Sequence, residues 1–393
     1  MKKLLNTYHS LFGKSDTLYQ IFSPYRICPL GAHVDHQHGL VSGFAFDKGI
    51  DFLFSVSDTE MIEMCSLSFE GLVTFNISYP LDEKQGNWGD YLRGTVYALK
   101  KRYRLEKGIR GVIQGSMPIG GLSSSAAALV GYVMALAKAN DIILSDMEVI
   151  QIASEAEREY VGLRNGILDQ ACVVLCQKDG LLYLDTETND YTILPVHPSA
   201  KSFEIGIFFS GVTRSLVSTD YNLRVSECKT AAWIMEAYES RPLKNMEETF
   251  LRDVPEDLFY KASDRMPDRF RRRAAHFYSE CERVRQGVQA WKEGNIDRFG
   301  KLIFQSCESS INNYECGSGE LIALYQAMLQ TKGIYGGRFS GAGFKGACIA
   351  LVDPRQKASI RESMTRKYLA EYPQYKDSFE IFFCKMDSGA RFV

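Results

Sequence analysis

A chain of 393 residues is long enough for two domains, or one large one, with an ample core. Its 45% hydrophobic and 24% charged residues are ordinary globular values, and a formal net charge of −2 argues against recognition of nucleic acid or an anionic membrane by bulk positive charge. Clusters such as Arg271-Arg272-Arg273 alternate with acidic neighbours and read as solvated helix faces.

Met1-Lys-Lys-Leu-Leu5 resembles the start of a signal peptide, but Asn6, His9 and Ser10 interrupt any apolar core. The first 60 residues read as strands and turns: Ile21–Ile27 is short and apolar, with Pro24 and Pro29 as breaks, and Val41–Val56 is an alternating or buried strand. Asp90–Tyr103 carries Tyr91, Val96, Tyr97 and Leu99 at helical spacing. Ile109–Gln114 is predicted as a strand running into a Gly/Ser-rich loop, which opens an apolar helix from Ser124 to about Ala139. Ser145-Asp-Met-Glu148 is a capping-box signal for a helix to about Tyr160. Tyr183–Asp185 and Phe203–Phe209 look like strands, and charged amphipathic helices dominate from Tyr221 to about Lys332. Ile334–Val352 returns to glycine turns and strand, and Phe379–Phe383 is a last strand. There is no internal repeat or low-complexity linker. The change of character near residue 195 predicts two intimately packed domains, 1–195 and 196–393.

The ten cysteines include no Cys-x-x-Cys, and Cys172 and Cys176 lie inside an apolar run. Buried free thiols in a reducing compartment are the expectation, rather than a disulfide framework or a zinc site. No apolar run reaches the length that spans a bilayer, so a cytoplasmic protein without a membrane partner is expected.

The chemistry begins at Pro118-Ile-Gly-Gly-Leu-Ser-Ser-Ser-Ala-Ala-Ala128. A loop feeding a helix N-terminus points unpaired N–H groups outward, and the helix dipole favours an anion there. Gly120 and Gly121 let the backbone approach phosphate oxygens. Leu122, Ser123, Ser124, Ser125 and Ala126 continue the cradle, and the three serine hydroxyls can cap the helix, donate to phosphate or ligate magnesium. A plain N-capped core helix would need far less of this string. No Walker-type loop and no protein-kinase signature is present. Gly341-Ala-Gly343-Phe-Lys-Gly346 fits a dinucleotide fingerprint, but a strand-like Ala-Cys-Ile-Ala-Leu-Val follows where that fingerprint needs a helix.

The loop resembles the second motif of the GHMP kinases, the family of galactokinase, homoserine kinase and mevalonate kinase. Three further segments are similar to galactokinases. Ser23–Gly39 matches their sugar signature at Arg26, Gly31, His33, Asp35 and Gly39. Gly162-Leu-Arg-Asn-Gly-Ile-Leu-Asp-Gln170 resembles the segment with their catalytic aspartate, and Gly337–Cys348 their third, glycine-rich motif. The resemblance extends through Ser218–Cys228 and Asn313–Cys316 and covers nearly the whole chain. It implies an α+β two-domain fold, its N-terminal domain like a domain of a small-subunit ribosomal protein and its C-terminal domain mixed α/β, with the active site in the cleft between. It also implies ATP and Mg²⁺, a small-molecule sugar acceptor, and a monomer or weak homo-oligomer.

Phosphoryl transfer needs positioning, charge neutralisation and a group that orients or deprotonates the attacking hydroxyl. Asp169 is the candidate base, with Arg26 holding it ionised and offsetting charge on the γ-phosphoryl. By resemblance, Ser125 and Glu157 ligate magnesium, and Tyr221 and the Gly166 backbone touch the sugar. Glu159 should lie on another helix face than Glu157. Asp35 should accept from ring hydroxyls, and His33 either supports the loop or meets the substrate. Trp88 and Tyr91 precede a helix on the nucleotide side, where an adenine contact and a core role are both open.

One departure bears on the substrate. Galactokinases carry Glu where this chain has Ala32, and that glutamate binds the sugar 6-hydroxyl. Two unit charges ~4 Å apart interact by about 4 kcal/mol at an effective dielectric near 20, roughly a thousandfold in affinity. Losing the carboxylate therefore favours an acidic C6. The form Arg-Ile-Cys-Pro-Leu-Gly-Ala-His-x-Asp-His-Gln also looks more like plant-type galacturonokinases than galactokinases. The expectation is a D-galacturonate 1-kinase. The alternatives are a galactokinase with a neutral Ala32, another sugar 1-kinase such as a glucuronokinase, and a non-catalytic sugar sensor. The partner of a C6 carboxylate is not identified by sequence; Arg214 is a guess.

Overall fold

The computed structural model describes residues 1–81, 83–118, 120–212, 218–240 and 242–393; the side chains of residues 218–220 are not among those described. Helix α1 (Lys2–Phe12) leads into strands β1 (Tyr19–Ile27), β2 (Leu40–Val56), β3 (Met61–Ser66) and β4 (Leu72–Asn76). Helix α2 (Gly89–Lys100), strand β5 (Ile109–Gly115) and helices α3 (Ser124–Ala139), α4 (Asp146–Glu155) and α5 (Leu168–Leu175) follow, then β6 (Gly180–Asp185) and β7 (Tyr191–Pro195). Next come β8 (Glu204–Phe209) and helices α6 (Ser218–Tyr238), α7 (Glu256–Ala262), α8 (Asp268–Lys292), α9 (Ile296–Asn312) and α10 (Gly319–Leu329). The chain ends with β9 (Ile334–Phe339), β10 (Ala347–Val352), α11 (Lys357–Glu371), β11 (Glu380–Cys384), β12 (Met386–Asp387) and β13 (Arg391–Phe392).

The first sheet has the order β13-β1-β2-β5-β3-β4 and is organised by β2, which is long enough to pair with β6 at Leu40–Gly43 and with β5 at Ile50–Val56. Among the described strands only β3 and β5 run parallel. The second sheet, β11-β8-β10-β9, is antiparallel throughout. The last residues return to the first sheet, β12 on β2 and β13 on β1. Helix α3 is buried on nearly every side, as its Ala-rich sequence allows; a Cβ on Gly131 would lie 2.2 Å from the Phe52 ring.

Four readings of the sequence need correction. Residues 2–12 form a helix, because Leu4 and Tyr8 fall on one face and bury against Leu53 and Val112. Pro24 does not break β1: a register shift between Pro24 and Tyr25 absorbs its missing N–H. The capping box at Ser145 and Glu148 is formed, but the α-helix stops at Glu155 and a π-turn, Ala156–Val161, takes over. Arg273 is not on a solvated face; it is 0% exposed and bonds Glu227 Oε2 at 2.7 Å, the Asn313 carbonyl and Glu315 Oε2. Its position on α8 turns it toward Glu227 of α6 and toward Glu315, which the half-buried Arg272 also reaches at 2.7 Å. Every described cysteine is free, and all but Cys65 are buried. Among the described residues no helix is long and apolar enough to cross a membrane.

Candidate active site

Strand β1 ends by delivering Arg26 to the N-terminus of α5, where Asp169 waits. Arg26 Nε donates to Asp169 Oδ1 at 2.7 Å and Nη2 to Oδ2 at 2.9 Å. Arg26 Nη1 lies 3.3 Å from both the Gly121 carbonyl and Ser340 Oγ, so the guanidinium ties β1 to the phosphate loop and the third motif. Burial opposes its charge, and Asp169 more than offsets this, holding Arg26 above its usual range. Ser123, the residue before α3, sits at φ 53° and donates its hydroxyl to Asp169 Oδ2.

The glycines of the loop interlock with those of the third motif. A Cβ on Gly120 would lie 2.9 Å from Gly346 Cα, and one on Gly121 would lie 3.0 Å from the Ser340 carbonyl oxygen. The pattern rejected as a dinucleotide fingerprint is thus the wall against which the phosphate loop packs, and strand β10 follows it.

Glu157 stands in the π-turn, 1% exposed, and Oε2 accepts from Asn165 Nδ2 at 2.8 Å and Gln170 Nε2 at 2.6 Å. The Ser125 side chain reaches the same carboxylate. Burial first, then the Asp169 charge, pushes Glu157 upward. A buried carboxylate beside a serine hydroxyl at a phosphate loop fits a hard divalent cation, which takes oxygen ligands. No group of three or more His, Cys, Asp and Glu side chains converges among the described residues, so such a cation would complete its shell with phosphate and water oxygens. Glu159 points elsewhere and pairs with Lys101.

Arg26, Ala32, His33 and Asp35 of the sugar signature line a cavity beside Asp169, together with Tyr221 of α6 and residues 338–342. Asp35 is buried and its carboxyl is pushed up to about 6, by burial and then by the Asp169 charge. The Leu168 N–H donates to Asp35 Oδ2 at 3.3 Å, and a Cβ on Gly166 would lie 2.5 Å from Asp35 Cγ, which explains the glycine there. His33 lines the cavity and also stacks on Tyr314, with ring centroids 4.4 Å apart and planes 10° apart. Burial and the Arg338 charge hold it well below its ordinary range, so it is neutral. Ala32 lines the cavity, and its carbonyl is held by His276 Nε2 at 3.0 Å. Arg214 lies outside the described residues.

A second, largely apolar cavity of about 140 Å³, with Tyr25, Phe69, Trp88, Tyr91 and Tyr132 on its walls, opens beside Ser124 and Ser125. Trp88 and Phe69 lie nearly parallel there, 16° apart, and Tyr91, the other residue left open between core and adenine contact, lines the same cavity. Sequence reasoning missed Asn165, Gln170, Arg338 and Ser340. All four lie inside motifs it had marked, but their side-chain directions depend on elements remote in sequence.

Residues 90–177 match the model of the GHMP kinases N terminal domain, and residues 288–370 that of the GHMP kinases C terminal domain. The galacturonokinase of Arabidopsis thaliana is 38% identical over 395 residues, covering 94% of this chain and 92% of its own. The galactokinase of Thermotoga maritima is 33% identical over 352 residues, covering 89% and 93%. The crystal structure of Lactococcus lactis galactokinase complexed with galactose superposes with a TM-score of 0.89 at 26% identity, covering 98% of both chains. The chain has the two-domain α+β fold of the GHMP kinases and belongs to that family.

Proposed function

We propose that this kinase transfers the γ-phosphoryl group of ATP to the anomeric oxygen of D-galacturonate, giving galacturonate 1-phosphate and ADP. Ala32 on the wall of a cavity that also holds Asp35, Asp169 and Arg26 carries the reading. The sugar site keeps its hydrogen-bonding and catalytic groups but lacks a carboxylate where the resembling galactokinases place one. The likeness to the plant galacturonokinase points the same way.

In this reading Asp169 accepts the proton of the anomeric hydroxyl as its oxygen forms a bond to Pγ and the bond from Pγ to the bridging oxygen breaks toward ADP. Arg26 keeps Asp169 ionised and faces the charge of the transferring group. Asp35, the Gly166 backbone, His33 and Tyr221 bind the sugar. The loop Gly120–Ala126 holds the phosphates, and the cavity at Trp88 and Tyr91 takes the adenine. Ser125 and Glu157 would hold magnesium, whose chemistry when bound is to neutralise the β- and γ-phosphates. Dependence on ATP and the free buried thiols suit a reducing cytoplasm.

An ADP-release assay against galacturonate, glucuronate, galactose and N-acetylgalactosamine tests the proposal. Galacturonate should give the highest kcat/KM. Preference for galactose would replace this reading with a galactokinase, and no turnover of any sugar would leave a sensor.

A further inference from the structure

Resting on the uronate reading, we infer that Arg338 is the residue that receives the C6 carboxylate and so separates acidic from neutral sugars. Among the described residues lining the sugar cavity, the cations are Arg26 and Arg338. Arg26 is committed: Nε and Nη2 to Asp169, and Nη1 to the Gly121 carbonyl and Ser340 Oγ. Arg338 is 1% exposed, and its hydrogen-bond partners are neutral: the Phe339 carbonyl at 3.1 Å, Ser310 Oγ at 3.1 Å, and Ser306 Oγ. A guanidinium carries five N–H donors in a rigid fork, so both terminal nitrogens keep a donor for a carboxylate.

Arg338 also stands beside Ala32 through Glu280. Glu280 Oε1 accepts from the Gly31 N–H at 2.8 Å and lies 3.8 Å from Arg338 Nη1. That carboxylate is already taken by Arg283 Nε at 2.7 Å and by Ser306 Oγ at 2.5 Å. Arg283 thus holds Glu280 more closely than Arg338 does, and Arg338 is left as a buried positive charge without a close carboxylate of its own. His33 and His276, the nearby imidazoles, are held neutral by burial and so neither add to that charge nor compete for a carboxylate. An unbalanced buried cation is costly unless a counter-ion arrives. A glutamate at position 32 would supply one permanently. With Ala32 the negative charge comes with the substrate, which makes the charge of the sugar a condition of tight binding.

The test compares kcat/KM for D-galacturonate and for the neutral isostere D-galacturonamide in the wild type, Arg338→Gln and Arg338→Lys. Arg338→Gln should lower the galacturonate value about 100-fold more than the galacturonamide value, mainly through KM, since a charged hydrogen-bonded pair is lost. Arg338→Lys, keeping charge without the fork, should fall between. An acid-to-amide ratio unchanged in Arg338→Gln overturns the assignment, while wild type that phosphorylates galactose but not galacturonate overturns the substrate reading beneath it. Should the buried substitutions unfold the protein, a crystal structure of the wild type with galacturonate decides. The carboxylate within hydrogen-bond distance of Arg338 Nη1 or Nη2 supports the assignment, and a carboxylate bound elsewhere ends it.

Discussion

Arg26 and Asp169 meet as a two-pronged fork, Nε on Oδ1 at 2.7 Å and Nη2 on Oδ2 at 2.9 Å, although one closes β1 and the other opens α5. An amide at position 169 accepts only one of these bonds and takes no proton from a hydroxyl. Asp169→Asn should therefore lower kcat by about 10²–10⁴-fold, the usual worth of a positioned base, while ATP binding measured by titration stays near wild type. Wild-type-like turnover would remove Asp169 from its role. Arg26→Lys keeps the charge but loses the fork, so its loss of kcat should be smaller yet clear in the same assay.

Asp35 is an acid under strain of burial. Its carboxyl is displaced from 3.8 to about 6, which corresponds to roughly 3 kcal/mol. Because the folded state holds this proton more tightly than the unfolded chain, the ionised carboxylate is destabilising; the penalty is complete above pH 6 and fades as pH falls toward 3.8. Asp35→Asn should thus raise Tm at pH 8, raise it progressively less between pH 6 and 4, and still lose sugar affinity. In the wild type kcat/KM should fall below pH 6, as Asp35 ceases to be a pure acceptor for ring hydroxyls. A pH profile together with melting curves at both ends of the range checks both signs.

What the sequence revealed and what it hid follow one physical division. The phosphate loop, Arg26, Asp35 and Asp169 could be marked as candidates because each sits in a short local string whose backbone conformation is set by its neighbours. Helix α3 begins at Ser124 and ends at Ala139 as its pattern predicts. The surroundings of Arg338 were not legible, since they are built from Glu280 of α8 and from Ser306 and Ser310 of α9. Arg273 shows the same limit: within a run of three arginines, burial is decided by which helix face meets Glu227 and Glu315. Helix α1 was overlooked although Leu4 and Tyr8 have helical spacing, because a short helix gains its stability from packing on the sheet rather than from its own pattern.

Ala32→Glu brings a carboxylate to the cavity wall. Galacturonate should lose about a thousandfold in affinity through charge repulsion at ~4 Å and an effective dielectric near 20, while galactose gains a hydroxyl partner. The ratio of kcat/KM for galacturonate over galactose is the readout. If that ratio does not fall, position 32 does not face C6.

Gly346 sits at φ 95°, and a Cβ there would come within 2.5 Å of the Gly120 carbonyl carbon. Gly346→Ala must push the phosphate loop away from the third motif or unwind its own turn. The strain should cost about 1 kcal/mol or more of stability, and the displaced loop should raise KM for ATP about tenfold with less effect on KM for the sugar. Steady-state kinetics with each substrate varied in turn distinguishes a loop defect from general loss of structure.

Gln170 and Asn165 both spend their amide N–H on Glu157 Oε2, and Gln170 Oε1 and Asn165 Oδ1 are buried without a hydrogen-bond partner. Two amides leaving their oxygens idle is tolerable only if the carboxylate between them is ionised and fixed. A cation on the Ser125 side of Glu157 would favour that ionised form against burial and the Asp169 charge, which push the carboxyl the other way. Gln170→Leu should therefore weaken magnesium activation by roughly 10–100-fold, as removal of groups that orient a metal ligand does, with the sugar KM moving far less. Glu157→Gln should weaken it further, because the ligand itself loses its charge. Magnesium titrations at saturating sugar give both values, and an unchanged half-saturation in Glu157→Gln would place the cation elsewhere. At lower pH the wild type should need more magnesium, since protons compete for the same raised carboxylate.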